Sequence, residues 1–412
     1  MGNTVFSAGA FVAVKIDDPG THFGGKTVKG RVYLDVQKSS VTADSLNIRF
    51  YGQERSCVVY YVQNGDNTET RHAHATVKFF EIDYILYSYG GEVQQGRYEY
   101  PFEITLPVGI PGKLGGSSGD SHFLIDYHIE ARLHRQGMLT WDVHNSVEIL
   151  MLDPPYNRIP TPVFSTPSTV PVHSFCCIRS GTMTLAIKLD SNNVVGSEVF
   201  RAFYEISNQS TSRIKALEIS VLQNLECRAD GHVHQSSSTV FHERIDASQL
   251  QNVAPMAKQD ANLSSEQPEQ GAIKALLDSL SRGQHFLNVT IPNTWAPTLL
   301  GALGAITYTL RVHIKTPFGV EDPLVDCALI LHRTALSFEG VVPVVAQEYT
   351  LPPGWQPMNA IAPVQFSVPR FHANLPHSYY TNSTSHKICI RMCLSIEALS
   401  LCIQGGDRQD ST

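Results

Sequence analysis

The sequence predicts an all-β protein: two tandem immunoglobulin-like β-sandwich domains followed by a mostly irregular C-terminal tail. Three observations carry that expectation. Apolar residues recur with a period of two along the first four fifths of the chain, the mark of strands with one face on a core. An ordered set of strand motifs occurs twice. Charged residues make up only 17% of the chain, below the soluble average, whereas exposed helix faces filled with Glu and Lys would raise that share.

The elements follow in order. Val28, Gly30, Val32, Leu34 and Val36 share one face of an early strand, and Leu46, Ile48 and Phe50 share one face of the next. Tyr98 to Leu106 and Phe123 to Leu133 alternate in the same way. In the second half the device returns in Met183, Leu185, Ile187 and Leu189 and in Tyr308, Leu310, Val312 and Ile314. The halves also share their order: GKTVKGRVY from Gly25 is echoed by GSEVFRAFY from Gly196, Leu106-Pro107 by Ile291-Pro292, and Tyr127 by Tyr308. The offsets differ by loop-sized amounts, so the reading is one sandwich copied once.

With 412 residues the chain exceeds the roughly 100–200 residues of an ordinary domain, and the boundaries fall accordingly. Residues 1–153 form the first sandwich. Residues 154–177 form a linker whose Pro154, Pro155, Pro160, Pro162, Pro167 and Pro171 exclude a helix or a central strand. The second sandwich spans 178–336 and contains a long polar loop, 246–285, in which AIKALLDSLS is a short helix. The tail, 337–412, carries a mostly apolar helical segment over 387–403.

Charge and cysteines narrow the classes. Lys plus Arg is 31 and Asp plus Glu is 38, giving −7, a sign that argues against a nucleic-acid coat. The eight cysteines are scattered without a CxxC, as reduced core thiols would be. The apolar start precedes the first cation, Lys15, and so lacks the basic region of a secretory signal. This disfavours a secreted adhesion sandwich. The uncharged stretch from Phe286 to Leu310 contains Pro292 and Pro297 and reads as strand, loop, strand rather than a membrane helix.

With these motifs in view the chain resembles the arrestin superfamily, most of all the α-arrestin (arrestin domain-containing) branch. The residues that carry the likeness are GKTVKGRVYLDV, SLNIRFYGQERS, YPFEITLP and FLIDYHIEARL in the first half. The second half supplies GTMTLAIKL, VVGSEVFRAFYEISNQS, FLNVTIP and ITYTLRVHI. The resemblance covers roughly residues 11 to 335 and implies two arrestin-type sandwiches without chemistry of their own. It further implies an adaptor at the cytoplasmic face of the plasma membrane or endosomes, one that binds cytoplasmic segments of transporters or receptors and links them to endocytic sorting or ubiquitination machinery. The branch often carries PPxY for WW-domain ligases; this chain has only Pro154-Pro155-Tyr156 and Pro352-Pro353-Gly354-Trp355. A retromer-type endosomal coat subunit of the same fold is the alternative among binding proteins.

Gly115-Gly116-Ser117-Ser118-Gly119 matches GxSxG, yet a hydrolase nucleophile needs a strained strand-to-helix elbow, and here a strand follows a Gly/Ser-rich connecting loop. His72 with His74, and His232 with His234, share a face of an extended chain but show no further ligands, so no metal and no cofactor is expected. Lys15, Lys26, Lys29 and Arg31 fall in the first two strands and are candidates for phosphate on a cargo tail or lipid headgroup, against the plainer reading of a solvated outer face. Cys389 and Cys393 would share one face of the terminal helix and are candidates for acylation. No catalytic residue is expected.

Overall fold

Strand alternation resolves into two pairs of packed layers. The computed structural model describes residues 9–135, 142–153, 162–174, 178–250, 270–317, 321–333 and 354–358. The first sandwich is built from β1 (Ala10–Ile16), β2 (Thr21–Phe23), β3 (Thr27–Asn64), β4 (Asn67–Thr105), β5 (Leu114–Ser118), β6 (Ser121–Arg135) and β7 (Val143–Leu152). The β3–β4 hairpin is long enough to serve both layers. Register shifts at Val36/Ser40, Ala43/Ser45, Leu46/Asn47 and Gly52/Gln53 bend it. The start of β3 therefore lies between β1 and the end of β4 in one layer, while the rest of the hairpin joins β6, β7, β2 and β5 in the other. Val12, Val32, Leu34, Ile48, Phe50, Tyr127 and Ile129 meet between the layers and are buried.

The second sandwich contains β8 (Val163–Phe164), β9 (Ser168–Ser174), β10 (Ile178–Leu189), β11 (Asn193–Val195), β12 (Val199–Ser210), β13 (Ala216–Ala229) and β14 (His232–Asp246). After these come α1 (Gln270–Arg282), β15 (Phe286–Thr290), β16 (Leu299–Leu300), β17 (Gly304–Lys315) and β18 (Leu324–His332). One layer runs β15-β12-β10-β8 with β9 on β10; the other runs β11-β18-β17-β13-β14 with β16 on β17.

The two topologies correspond strand for strand. β1, β3 and β4 pair as β10, β12 and β15 do; β2 lies parallel to β7 as β11 does to β18; β5 edges β6 as β16 edges β17. Tyr127 and Tyr308 are equivalent buried anchors whose hydroxyls donate to upstream carbonyls, those of Pro111 and Ala296. A buried phenol needs such a partner.

One detail of the duplication differs from the sequence alignment. The turn Phe23–Lys26, closed by Lys26 N–H to Phe23 O at 3.1 Å, matches Val195–Glu198, closed by Glu198 N–H to Val195 O at 3.1 Å. The left-handed residues are Gly25 (φ 86°) and Ser197 (φ 69°), so Gly25 corresponds to Ser197 and not to Gly196. A one-residue shift reverses strand faces. It explains why Val28, 1% exposed, is matched by buried Phe200, while Val199 is 53% exposed.

Three predicted irregular regions carry structure. Within the expected linker, β8 and β9 are edge strands on β10, with Pro171 opposite Thr182. Within the expected loop, β14 runs to Asp246 and α1 sets Leu276 and Leu280 against Ala186 and Phe203. Ser279 and His285 both reach the buried Glu205 carboxylate, at 3.0 and 3.2 Å, and Gly283 (φ 66°) ends the helix. In the tail, β19 (Gln356–Pro357) lies parallel to β4. The predicted helix 387–403 and the Pro154-Pro155-Tyr156 and Pro352-Pro353 motifs lie outside the described residues. No helix among the described residues is long and apolar enough to cross a membrane.

Candidate binding surfaces

The two sandwiches meet along a seam centred on an acid. On the inward face of β3, Ile48 and Phe50 are followed at the same parity by Gly52, Glu54, Ser56 and Val58, so Glu54 continues a core face beyond the end of the first sandwich. The C-terminal sandwich fills that position. Glu54 is 3% exposed, and its carboxylate accepts from the backbone N–H groups of Ala302 (2.8 Å), Leu303 (2.9 Å) and Gly304 (2.5 Å). Three successive amides make a concave anion seat. Behind them Arg228 donates its backbone N–H to Leu303 O (2.7 Å) and its guanidinium to Ala302 O (3.3 Å), which holds the carbonyls away from the acid.

Glycine makes the seam possible. A Cβ on Gly304 would overlap the Phe123 ring of β6, one on Gly301 would meet the Glu54 carboxylate, and one on Gly116 would strike Leu225. Tyr60 stacks on His232 across the seam at 3.7 Å. Burial pushes the Cys227 thiol up to about 11, with Glu226 and Cys57 adding to it, so this thiol stays protonated and unreactive.

Burial also raises the Glu54 carboxyl above its ordinary range, opposed by the amides of Leu303, Ala302 and Gly304 and by Arg228. A folded value above the unfolded one means that the stabilising contribution is complete below the unfolded pKa and is lost as pH rises through the folded value. Domain docking is therefore expected to strengthen on acidification through that window. Glu54→Gln, which cannot titrate, should flatten the dependence; melting temperature against pH for both proteins measures it, and parallel profiles would assign the titration elsewhere.

Lys15 and Arg31 stand directly opposite each other on β1 and β3, with Lys29 nearby on the same outward face, whereas Lys26 sits in the preceding turn over the Phe23 ring (4.1 Å). The surface is not purely cationic. Lys29 pairs with Glu103 (3.2 Å) and Arg31 with Glu99 (3.1 Å), both from β4. Ser117 belongs to β5, paired with β6, and not to a connecting loop; it is in extended strand without an elbow, and its neighbour Gly116 is part of the seam. A nucleophile has no strained turn to present it there.

His72 sits 3.8 Å from the Cys57 sulfur, and His74 lies opposite Cys57 across the hairpin. His234 lies opposite Cys227, and His232 is stacked on Tyr60. Among the described residues no group of three or more His, Cys, Asp or Glu is placed to hold a metal ion. Cys389 and Cys393 lie outside the described residues.

Sequence reading missed the residues that matter most to the seam. A signal was present: Glu54 is a charge at inward strand parity, and GALG, Gly301 to Gly304, is a glycine-bracketed turn next to a strand. It also missed Trp355, whose ring meets Tyr33 edge-on at 4.9 Å.

The duplicated fold has a direct counterpart in sequence comparison. Residues 12–151 match the family described as Arrestin (or S-antigen), N-terminal domain, and residues 179–333 match Arrestin (or S-antigen), C-terminal domain. Arrestin domains occur in non-catalytic adaptor proteins, and members of the family bind membrane receptors and trafficking machinery. Two matched domains, spanning both sandwiches and most of the chain, place this protein in the arrestin superfamily.

Proposed function

We propose that the protein is an α-arrestin-like, non-catalytic adaptor that recognises cytoplasmic segments of membrane transporters or receptors and links them to endocytic sorting or ubiquitination machinery. The observation that carries this reading is the pair of arrestin domains, docked through a glycine-lined seam in which buried Glu54 accepts from three backbone amides. Its place of action would be cytoplasmic, peripheral at the plasma membrane or endosomes. Ligase recruitment would use a surface other than PPxY, since the chain contains no such motif.

Lys15, Lys26, Lys29 and Arg31 are the proposed contacts for phosphate on cargo or lipid: all four are exposed, and Lys15, Lys29 and Arg31 share an outward face of β1 and β3. Glu99 and Glu103 would have to release Arg31 and Lys29 for a bidentate contact to form. Proximity labelling in cells is expected to enrich membrane proteins together with ligases or coat components. A variant with all four cations changed to Gln should lose that enrichment and lose retention on phosphopeptide or phosphoinositide beads. Undiminished retention would remove this surface from the reading, and enrichment of soluble enzymes alone would remove the adaptor role.

A further inference from the structure

On β12 the odd positions from Val199 to Glu205 turn outward, because Phe200, Ala202, Tyr204 and Ile206 turn to the core. Register then sets a row across the sheet. Phe203 stands opposite Lys188 of β10 and Phe286 of β15, and Lys188 stands opposite Phe164 of β8. Opposed residues share a face, so Phe164, Lys188, Phe203 and Phe286 form one outward row, about 14 Å from end to end at the usual strand spacing.

The cations of this face lie on its rings. Lys188 Nζ is 5.4 Å from the Phe164 centroid and 5.3 Å from that of Phe203, while the Arg201 guanidinium is 5.7 Å from Phe203 and 6.0 Å from Phe286. Arg201 also pairs with Asp190 at 3.0 Å, whereas Lys188 has no carboxylate partner among the described residues. One side of the face is occupied by α1. Its Leu276 and Leu280 pack on Ala186 and Phe203, and a Cβ on Gly283, just past the helix, would come within 3.0 Å of the Phe203 ring. The other side is open: Phe164 is 49% exposed, Phe286 46% and Val199 53%.

We propose that the open side of this face, beside α1, is a docking site for an acidic amphipathic helix of a partner protein. The mode is the one α1 already shows, with leucines at i and i+4 set down among outward strand residues. A second helix at the usual spacing of about 8–10 Å from α1 would lie over the row, its apolar stripe on Phe164, Phe203 and Phe286. Charge selects the flanks of that stripe. In a chain of net charge −7 this face holds two cations and one anion, so carboxylates would meet Lys188 and compete with Asp190 for Arg201. A cation resting on a ring has already shed part of its water, which lowers the cost of pairing it. An anionic bilayer offers similar charge, but α1 stands one helix diameter, about 10 Å, above the strands and holds a flat surface off the row.

This inference rests on the adaptor reading for its purpose and deepens it, supplying a partner contact that needs no PPxY. The probe is a fluorescein-labelled synthetic helix of about 18 residues, with Leu along one stripe and Glu elsewhere, titrated by anisotropy against the full chain. Lys188→Glu with Arg201→Glu is expected to weaken binding about tenfold or more, since like charges then face each other. The same helix with Lys in place of Glu should reverse the order and prefer that variant. Phe164→Ala with Phe286→Ala removes two half-exposed rings, leaves the melting temperature nearly unaltered and should also weaken binding about tenfold. Arg71→Glu with Lys78→Glu makes the same change of charge on the first sandwich and should leave the affinity as it was.

No binding of the acidic helix to the unaltered chain, equal binding to the Lys188/Arg201 variant, or an equal loss in the Arg71/Lys78 variant would each overturn the proposal. So would retention on vesicles of phosphatidylcholine and phosphatidylserine that depends on Phe164 and Phe286 while the helix fails to bind, a result that assigns the face to a membrane. The adaptor reading would survive any of these, because cargo enrichment in cells is scored separately.

Discussion

Replacing Glu54 by alanine is expected to uncouple the two sandwiches. The substitution leaves the backbone N–H groups of Ala302, Leu303 and Gly304 facing a vacated, buried position. Each buried donor without an acceptor costs about 1–3 kcal/mol, and water entering the gap recovers part of it, so a loss of about 3 kcal/mol of domain coupling is the expected size. For domains of this length that corresponds to a fall of roughly 6–12 °C in the transition that reports on docking. Scanning calorimetry should show the unaltered protein melting as one unit and the variant as two separable transitions. Glu54→Gln keeps one acceptor oxygen and should lose less than half as much. A single transition at unchanged temperature in the alanine variant would mean that the acid is incidental to the seam.

Changing Gly304 to valine attacks the same seam by volume. The new Cβ would occupy the place of the Phe123 ring, and Phe123 is buried and held by β6 pairing on both sides. Forcing carbon into such a site costs about 1–3 kcal/mol when neighbours can shift, and more when they cannot. Phe123→Ala alone removes a buried ring, at about 3–5 kcal/mol. The double variant is the decisive measurement. The space vacated by the ring accepts the valine, so the two losses should fall short of additivity by more than about 1 kcal/mol in a denaturation cycle. Strict additivity would place the ring and the glycine in separate environments.

Both results bear on how the protein would work. A seam held by one acid on three amides and by aromatic-on-glycine contacts is narrow, and each part of it is replaceable by a single substitution. The chain-wide strand framework around it is not, because its inward residues are distributed over most strands of both copies. Changes in the angle between the sandwiches would thus concentrate at Glu54, Gly301 and Gly304, away from the outward surfaces where partners are expected to bind.

How far the sequence could be read varies from element to element. The strands from Phe123 to Leu133 and from Tyr308 to Ile314 were fully legible, because a half-buried strand writes its core face into every second residue. The duplication was legible too, but its alignment was off by one at Gly25, since the shared glycine of GSEVF attracted the match. The conformational requirement, φ near +70 to +90°, is met in the second copy by Ser197. A rule of composition was overridden there by hydrogen bonds from Leu106 and Ile291, which close both turns identically.

Residues 115–118 were misread as a loop for a related reason. Glycine and serine in a row read as a connecting loop, whereas Gly116 is small because Leu225 of the other sandwich needs the room. The proline-rich segment hid two edge strands, since Pro excludes central positions and says nothing against an edge.

By itself the sequence determined that this is an all-β chain with two copies of one sandwich, and which residues of the long alternating strands face a core. That information is local, carried by alternation and by turn-forming residues within a few positions of one another. Only the tertiary structure decided that Glu54 receives three amides from about 250 residues away, that Tyr33 is covered by Trp355, and that Lys29 and Arg31 meet carboxylates. Such contacts join elements with no periodic relation in the chain, and their strength comes from excluding water once both surfaces are formed, a condition that no stretch of residues meets alone.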